Sequence, residues 1–284
     1  MKFYVVSDVH GYYSAFIVAL AEAGWFKETQ PKKLVLCGDT FSRGSEAREL
    51  MNFLTELHKQ GKLVYIKGDH DEILTELLND VYCGDDVIDI SASARYGFGI
   101  FDTAVQLSGM TTQEVFDRPK EMVRRVHECP LFTVLLPSSL NYYETSKYIF
   151  THGWIPVKTL CEGLCPKYAF DPYWRNAPKG LWRKARWSNG IDMACKHHLT
   201  VWGRKRIVCG HITASYARYK YATKDEDRIG KRIFDFDSTP FYGKGFIAID
   251  GNTDRTGKVN VLVIEDEEIN SFDCSKPPKK KRRK

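Results

Sequence analysis

Seven side chains of the kind that hold metal ions or move protons stand just after short apolar runs: Asp8, His10, Asp39, Asp69, His70, His152 and His211. They occur in SDVHG (7–11), CGDTFSRG (37–44), KGDHDE (67–72), THG (151–153) and CGH (209–211). Mixed carboxylate and imidazole donors suit Mn, Fe, Zn or Co, whereas Mg and Ca prefer shells of oxygen alone. Seven donors exceed what one tetrahedral ion takes. They fit two divalent ions about 3.5–4 Å apart, bridged by one carboxylate. Such a pair generates hydroxide from bound water near neutral pH and clamps phosphoryl oxygens during in-line displacement. The charge that builds on those oxygens calls for a cation. Arg43, four residues after Asp39, carries a forked guanidinium suited to it.

The elements that must position these residues follow from periodicity. KFYVVS reads as a strand, and apolar residues at 16, 17, 20, 21 and 23 give a helix over 13–23. KLVLC (33–37) is a second strand. A second helix over 45–60 places Leu50, Phe53, Leu54 and Leu57 on one face, with Ser45 as its N-cap. KLVYIK (62–67) is a third strand, followed by a helix over 71–79. This alternation predicts a parallel sheet with crossover helices, whose ligands sit beyond the carboxyl ends of the strands. Residues 80–130 read as a helical insertion with a helix over 113–128. FTVLL (132–136), KYIFTHG (147–153) and RIVCGH (206–211) restore strand texture, and 154–205 reads as a loop-dominated cap rich in Trp, Lys, Arg and Pro. GFIAID (245–250) and KVNVLVIED (258–266) read as a hairpin joined by GNTDRTG.

Composition bounds the classes. At 284 residues with 43% hydrophobic and 27% charged, the chain is of ordinary globular type, which excludes collagen-like and wholly disordered readings. No apolar run approaches the ~18 residues of a membrane helix. The start, MKFYVVSD, enters a strand directly, so no secretory leader is expected. The net charge of +6 belongs to the end of the chain. KPPKKKRRK (276–284) holds 7 of the 42 basic residues, and the remaining 35 face 36 acids, a net of −1 for the body. That speaks against a nucleic-acid-binding face on the body. The eight Cys show no paired zinc-finger spacing and read as reduced, mostly buried residues of a cytoplasmic protein.

DVHG, GDxxxRG, GDHD, THG and CGH, in that order and each behind a strand, resemble the calcineurin-like metallophosphoesterases. The resemblance is to the phosphoprotein phosphatase branch, with the Ser/Thr protein phosphatases, the phage lambda-type phosphatase and the bacterial symmetrical diadenosine tetraphosphatases. It implies an α/β fold, a two-sheet β-sandwich flanked by helices, over residues 1–272; 273–284 reads from its composition as a disordered basic tail. It assigns Asp8, His10 and Asp39 to a first metal. Asp39 also bridges to a second, completed by Asp69, His152 and His211. Arg43 corresponds to the phosphate-gripping arginine, and His70 to the histidine that protonates the leaving group. A second phosphate arginine is expected in GLWRKARWSNG (180–190), at Arg186 or, failing that, Arg183.

Two positions depart from the family pattern. Asp69 stands where Asn is usual, which adds a negative charge to the metal site. Ser42 stands where an Asp usually orients the catalytic histidine, and Asp71 is the substitute within sequence reach. Weaker activity and a shifted pH optimum are expected. Other histidines read more plainly. His58 and His127 are surface residues of helices, and His197–His198 is an exposed pair in the cap. Trp154, Trp182 and Trp187 flank site motifs; packing is the ordinary reading and stacking on an aromatic substrate the other.

The expected activity is metal-dependent hydrolysis of phosphomonoesters, of the Ser/Thr phosphoprotein phosphatase type, with Mn as first choice of metal and a phosphorylated protein or small phosphoester as substrate. Symmetrical dinucleoside polyphosphate hydrolysis is the alternative on the same core. A catalytically impaired, metal-binding regulatory protein is the alternative of another class. The basic tail reads as solvated chain, with weak attachment to nucleic acid or an anionic surface, or nuclear import, as its further readings.

Overall fold

The computed structural model describes residues 1–83, 99–161, 166–201 and 205–269. The basic tail expected over 273–284 lies outside them. Among the described residues no helix is long and apolar enough to cross a membrane.

The first half follows the expected alternation: β1 (Lys2–Val6), α1 (Tyr13–Glu22), β2 (Lys32–Cys37), α2 (Ala47–Lys59), β3 (Leu63–Ile66) and α3 (Asp69–Cys83). Then come α4 (Ile100–Ser108), α5 (Thr112–Asp117) and α6 (Pro119–Glu128). The second half holds β4 (Tyr142–Glu144), β5 (Tyr148–Thr151), β6 (Val157–Cys161), β7 (Lys167–Phe170), α7 (Lys179–Arg186), α8 (Gly190–Cys195) and β8 (Arg206–Cys209). It ends with α9 (Ala214–Ala217), α10 (Asp225–Arg228), β9 (Phe241–Gly243), β10 (Phe246–Ala248), α11 (Thr253–Thr256) and β11 (Leu262–Glu265).

Two sheets form. In the first, of order β11-β1-β2-β3, the last three strands run parallel and β11 lies antiparallel to β1. In the second, of order β4-β5-β8-β10-β9, the central β5, β8 and β10 run parallel. Strand alternation sends successive side chains to opposite faces. Phe3, Val5, Val35, Cys37, Val64 and Ile66 meet Phe150, Val208 and Ile247 in a layer between the sheets. Tyr4, Val6, Leu34, Leu36 and Tyr65 face the other way, onto the apolar sides of α1, α2, α3 and α6. Ile149, Ile207, Cys209, Phe246 and Ala248 pack against Trp154, Trp174, Trp182 and Ile191 of the cap. The result is the expected helix–sheet–sheet–helix sandwich. Each fully buried Leu, Ile or Phe contributes about 1.5–3 kcal/mol.

The structure corrects several local expectations. Ser45 does not cap α2. Its N-cap is Glu46, with no side-chain capping bond, and the Glu46 carboxylate accepts the Ser14 N–H instead. The helix expected over 113–128 is two helices, broken at Arg118, whose backbone leaves the helical region ahead of Pro119. FTVLL is helical: Pro130 adopts the helical region, and Leu131 and Leu135, four apart, are both buried. The cap contains a β6–β7 hairpin and two helices rather than loop alone. GFIAID and KVNVLVIED are not a hairpin. β10 pairs with β8 and β9, and β11 crosses to the other sheet beside β1. The reason is burial. Ile247 and Ile249 enter the middle layer from one sheet and Leu262 and Ile264 enter it from the other.

Candidate active site

Six strand ends converge on one edge of the sandwich. Asp8, Asp39, Asp69, His152 and His211 follow β1, β2, β3, β5 and β8 within three residues, and Asp250 follows β10. Backbone bonds zip the first loops together: the N–H groups of Asp8, His10 and Gly11 donate to the carbonyls of Gly38, Asp39 and Thr40 at 3.2, 3.0 and 2.8 Å. The loops bend sharply. Asp8 (φ 53°), His10 (51°), Asp39 (48°), Arg43 (61°) and His211 (66°) all adopt the left-handed region. Non-glycine residues there cost about 1–3 kcal/mol each, and such strain collects where a site must aim side chains.

Two groups of donors result. Asp39, Asp69, His152 and His211 each bring a ligand atom within 4.8 Å of the others, and so do His10, Asp39 and His70. Asp39 belongs to both. His152 is fully buried between a carbonyl and two carboxylates. Its Nδ1–H donates to the Cys37 carbonyl at 2.8 Å, because a carbonyl only accepts. Its Nε2 therefore points at Asp69 Oδ1, 2.6 Å away, and at Asp39 Oδ1, 3.4 Å away. His211 Nδ1 lies 3.1 Å from the same Asp69 oxygen. Asp8 is the partner of the His211 N–H, at 3.0 and 3.2 Å, and lies 4.0 Å from His10 Nε2. His70 sits inside the second group, its Nε2 3.6 Å from Asp39 Oδ2 and its ring edge-on to His10.

The electrostatics call for positive charge. Burial, then the charge of Asp250, pushes the Asp8 carboxyl well up. Burial disfavours the charged form of His152, but Asp39 and Asp69 outweigh it and push the imidazole well above its usual value. Burial opposes ionisation of Asp69 too, yet the hydrogen bonds from His152 and His211 hold its carboxyl below the usual range. His10 goes the other way: burial, then Arg43 and His70, hold it well below its usual value and keep its imidazole neutral. Gathered carboxylates with neutral imidazole beside them are the donor set of a divalent cation that prefers N and O ligands.

The arginines and tryptophans fall out differently. Arg43 Nη1 donates to Asp254 Oδ2 at 2.9 Å. Arg186 is buried, with Nη1 on Asn141 Oδ1 at 2.7 Å and Nη2 on Glu72. Arg183 is exposed and pairs with Glu72 and Glu76. Both therefore tie the cap to α3 through carboxylates. Trp154 and Trp182 are core residues, Trp182 stacked on Tyr142. Trp187 is exposed, its ring 6.4 Å from that of His211. His127 is exposed beside Phe132, His58 is half-buried, and His197 packs on Tyr168.

Ser42 and Asp71 are also placed. Ser42 is fully buried and bonds His10 rather than His70. Asp71 does not serve His70: its two oxygens accept from Tyr65 Oη at 3.0 Å and the Gly68 N–H at 2.9 Å. Asp250, Asp254 and Glu72 were not singled out from the sequence. Asp250 had a signal, since GFIAID ends a strand in an acid just as the other site runs do. Glu72 and Asp254 had none, because their partners are distant in the chain.

Fold and site together define a metallophosphoesterase architecture. The calcineurin-like phosphoesterase family model matches residues 1–238, and the chain belongs to that family. Over 141 residues it is 25% identical to the bis(5'-nucleosyl)-tetraphosphatase PrpE (asymmetrical) of Bacillus velezensis. It is 23% identical over 141 residues to the protein of that name from Bacillus subtilis. These matches cover 48% of this chain and 52% and 53% of the two proteins, so the chain spans about half the length of the curated relatives it matches. A solved mutant of a cold-active protein tyrosine phosphatase shares the fold, with a TM-score of 0.51 and 15% identity over 93% of this chain and 75% of that one.

Proposed function

We propose that the chain hydrolyses phosphomonoesters with the help of two divalent ions, Mn before Fe, Zn or Co. The observation that carries this reading is the shared Asp39: one buried carboxylate belongs to both donor groups, as a bridge between two ions must. When bound, such ions supply an activated water and a clamp for phosphoryl oxygens. The side chains do the rest. Asp8, His10 and Asp39 would hold one ion, and Asp39, Asp69, His152 and His211 the other. The Cys37 carbonyl fixes the His152 tautomer, so that Nε2 is the ligand atom. Arg43 receives phosphoryl oxygens at the mouth of the site. His70, within the Asp39 group, gives its proton to the departing oxygen. Arg186, with Arg183 behind it, is the second phosphate arginine of this reading; Glu72 holds both against α3.

The experiment is phosphate release from p-nitrophenyl phosphate by chelated protein reloaded with Mn²⁺, beside Asp39→Asn and bis-p-nitrophenyl phosphate. Mn-dependent monoester turnover that Asp39→Asn lowers by about a thousandfold or more supports the reading. Bound metal without turnover on either ester removes it in favour of a regulatory metal-binding protein or a stricter substrate.

That stricter substrate is the second reading, a dinucleoside polyphosphate. Two observations favour it: the names of the two Bacillus relatives, and the exposed Trp187 ring beside His211, which offers a base a stacking face. Diadenosine tetraphosphate is the probe. ADP as sole product means symmetrical cleavage; AMP with ATP means asymmetrical cleavage.

A further inference from the structure

Arg43 answers to two carboxylates four residues apart in the segment that leads from β10 into α11. Asp254 accepts from its Nη1 at 2.9 Å, and both side chains are about a quarter exposed, 29% and 26%. Asp250, four residues earlier and buried, feels the charge of the same guanidinium. The segment that carries Asp254 into α11 is itself well anchored. Asp250 Oδ1 accepts the Asn252 N–H at 2.7 Å, Thr256 bonds back to the Gly251 carbonyl, and Arg255 lies 4.0 Å over the Phe234 ring. The Arg43 backbone is fixed as well, in the left-handed region with Gly99 packed against it, too close to tolerate a Cβ.

We propose that Asp254 is a positioning residue for phosphate binding. It holds the Arg43 guanidinium at the rim of the site and away from the buried carboxylates Asp250 and Asp39, which would otherwise draw it inward. One carboxylate oxygen takes one of the five N–H donors of the fork. The cation thus meets an incoming phosphate dianion already aimed, and the ordering cost of a flexible side chain is met before the ligand arrives. This rests on the reading of Arg43 as the phosphate-binding arginine.

The test uses the Mn²⁺-loaded full chain, with inorganic phosphate as the probe. Its affinity is measured by calorimetry and as a competitive inhibition constant. Asp254→Ala is expected to weaken phosphate about tenfold, the size of one charge-assisted hydrogen bond, with Mn²⁺ affinity and thermal midpoint unchanged. Asp254→Asn, which keeps an acceptor oxygen, recovers most of that loss. In an Arg43→Ala background, Asp254→Ala adds nothing. Normal or tighter phosphate binding by Asp254→Ala, while Arg43→Ala is weakened, overturns this inference alone. So does an Asp254 effect of equal size in both backgrounds. An Arg43→Ala protein that binds phosphate normally overturns the role of Arg43 and this inference with it.

Discussion

His10 Nδ1 lies 2.8 Å from Ser42 Oγ, with both side chains buried. Ser42 occupies the position where family resemblance expects an acid serving the catalytic histidine. In this chain its partner is His10, one of the proposed metal ligands, rather than His70. The hydroxyl fixes the His10 ring through Nδ1 and leaves Nε2 toward the donor group. Partners of this kind are worth about 10–100-fold in metal affinity. Ser42→Ala is therefore expected to weaken Mn²⁺ binding about tenfold, read by calorimetric titration. Unchanged affinity would mean that another group orients His10.

Gly38 precedes the shared Asp39, with φ at 80°. A Cβ there would overlap the His152 imidazole and lie 2.8 Å from Gly68 Cα. Gly38→Ala meets two costs at once, about 1–2 kcal/mol for the left-handed backbone and the displacement of a ligand. Its thermal midpoint should drop and its Mn²⁺ affinity should fall at least about tenfold. A variant with native metal affinity would show that β2 and β5 can separate at this edge without harm.

Asp71 is buried, and that burial outweighs its hydrogen bonds and pushes its carboxyl up to about 6. A group raised on folding contributes its full stability below its ordinary value of 3.8, and loses it as pH rises through about 6. Asp71→Ala strands the Gly68 N–H and should cost about 1–3 kcal/mol in urea denaturation. Asp71→Asn, which copies the neutral form, should cost less. Neither should change the shape of the pH–rate profile, because His70 is not the Asp71 partner. A shifted profile would restore Asp71 to the catalytic group.

Glu144 on β4 joins the second sheet to the cap through Arg175, at 2.7 and 2.8 Å, and Lys205. Burial raises its carboxyl, but the two cations outweigh it and hold it below its ordinary 4.5. This stability is present above 4.5 and is lost as pH falls through the lowered folded value. Glu144→Gln should therefore cost about 1–2 kcal/mol at neutral pH and little in strong acid. An equal cost at both ends would mean that packing, not charge, is what Glu144 supplies.

The strand-end residues of the first sheet were legible because chain order alone puts them on one edge. A strand–helix–strand repeat builds a parallel sheet, and a parallel sheet gathers its carboxyl ends. Asp8, His10, Asp39, Asp69 and His70 needed no more than that, whereas His152 and His211 end β5 and β8 of the second sheet and reach the same edge only because the two sheets pack together. The first six elements were readable for the same reason, from the apolar periods of 2 and 3.6, whereas the αββα layering was what the family resemblance implied. Composition also separated the basic tail from a near-neutral body.

Only the tertiary structure decided matters in which a residue answers to a distant one. FTVLL carries strand-forming residues, but it turns helical because Leu131 and Leu135 must face the helical layer. β11 leaves its neighbour β10 because β1 has an edge to be paired and the middle layer has room for Leu262 and Ile264. Arg186 answers to Glu72 on α3 and to Asn141 ahead of β4, partners that its own segment does not announce. Ser42 turned to His10, and Asp71 to Tyr65 and Gly68. The sequence by itself determined which residue types stand at the site edge, since strand ends are set by local periodicity. The partner of each was settled by packing between segments far apart in the chain, on which local spacing carries no information.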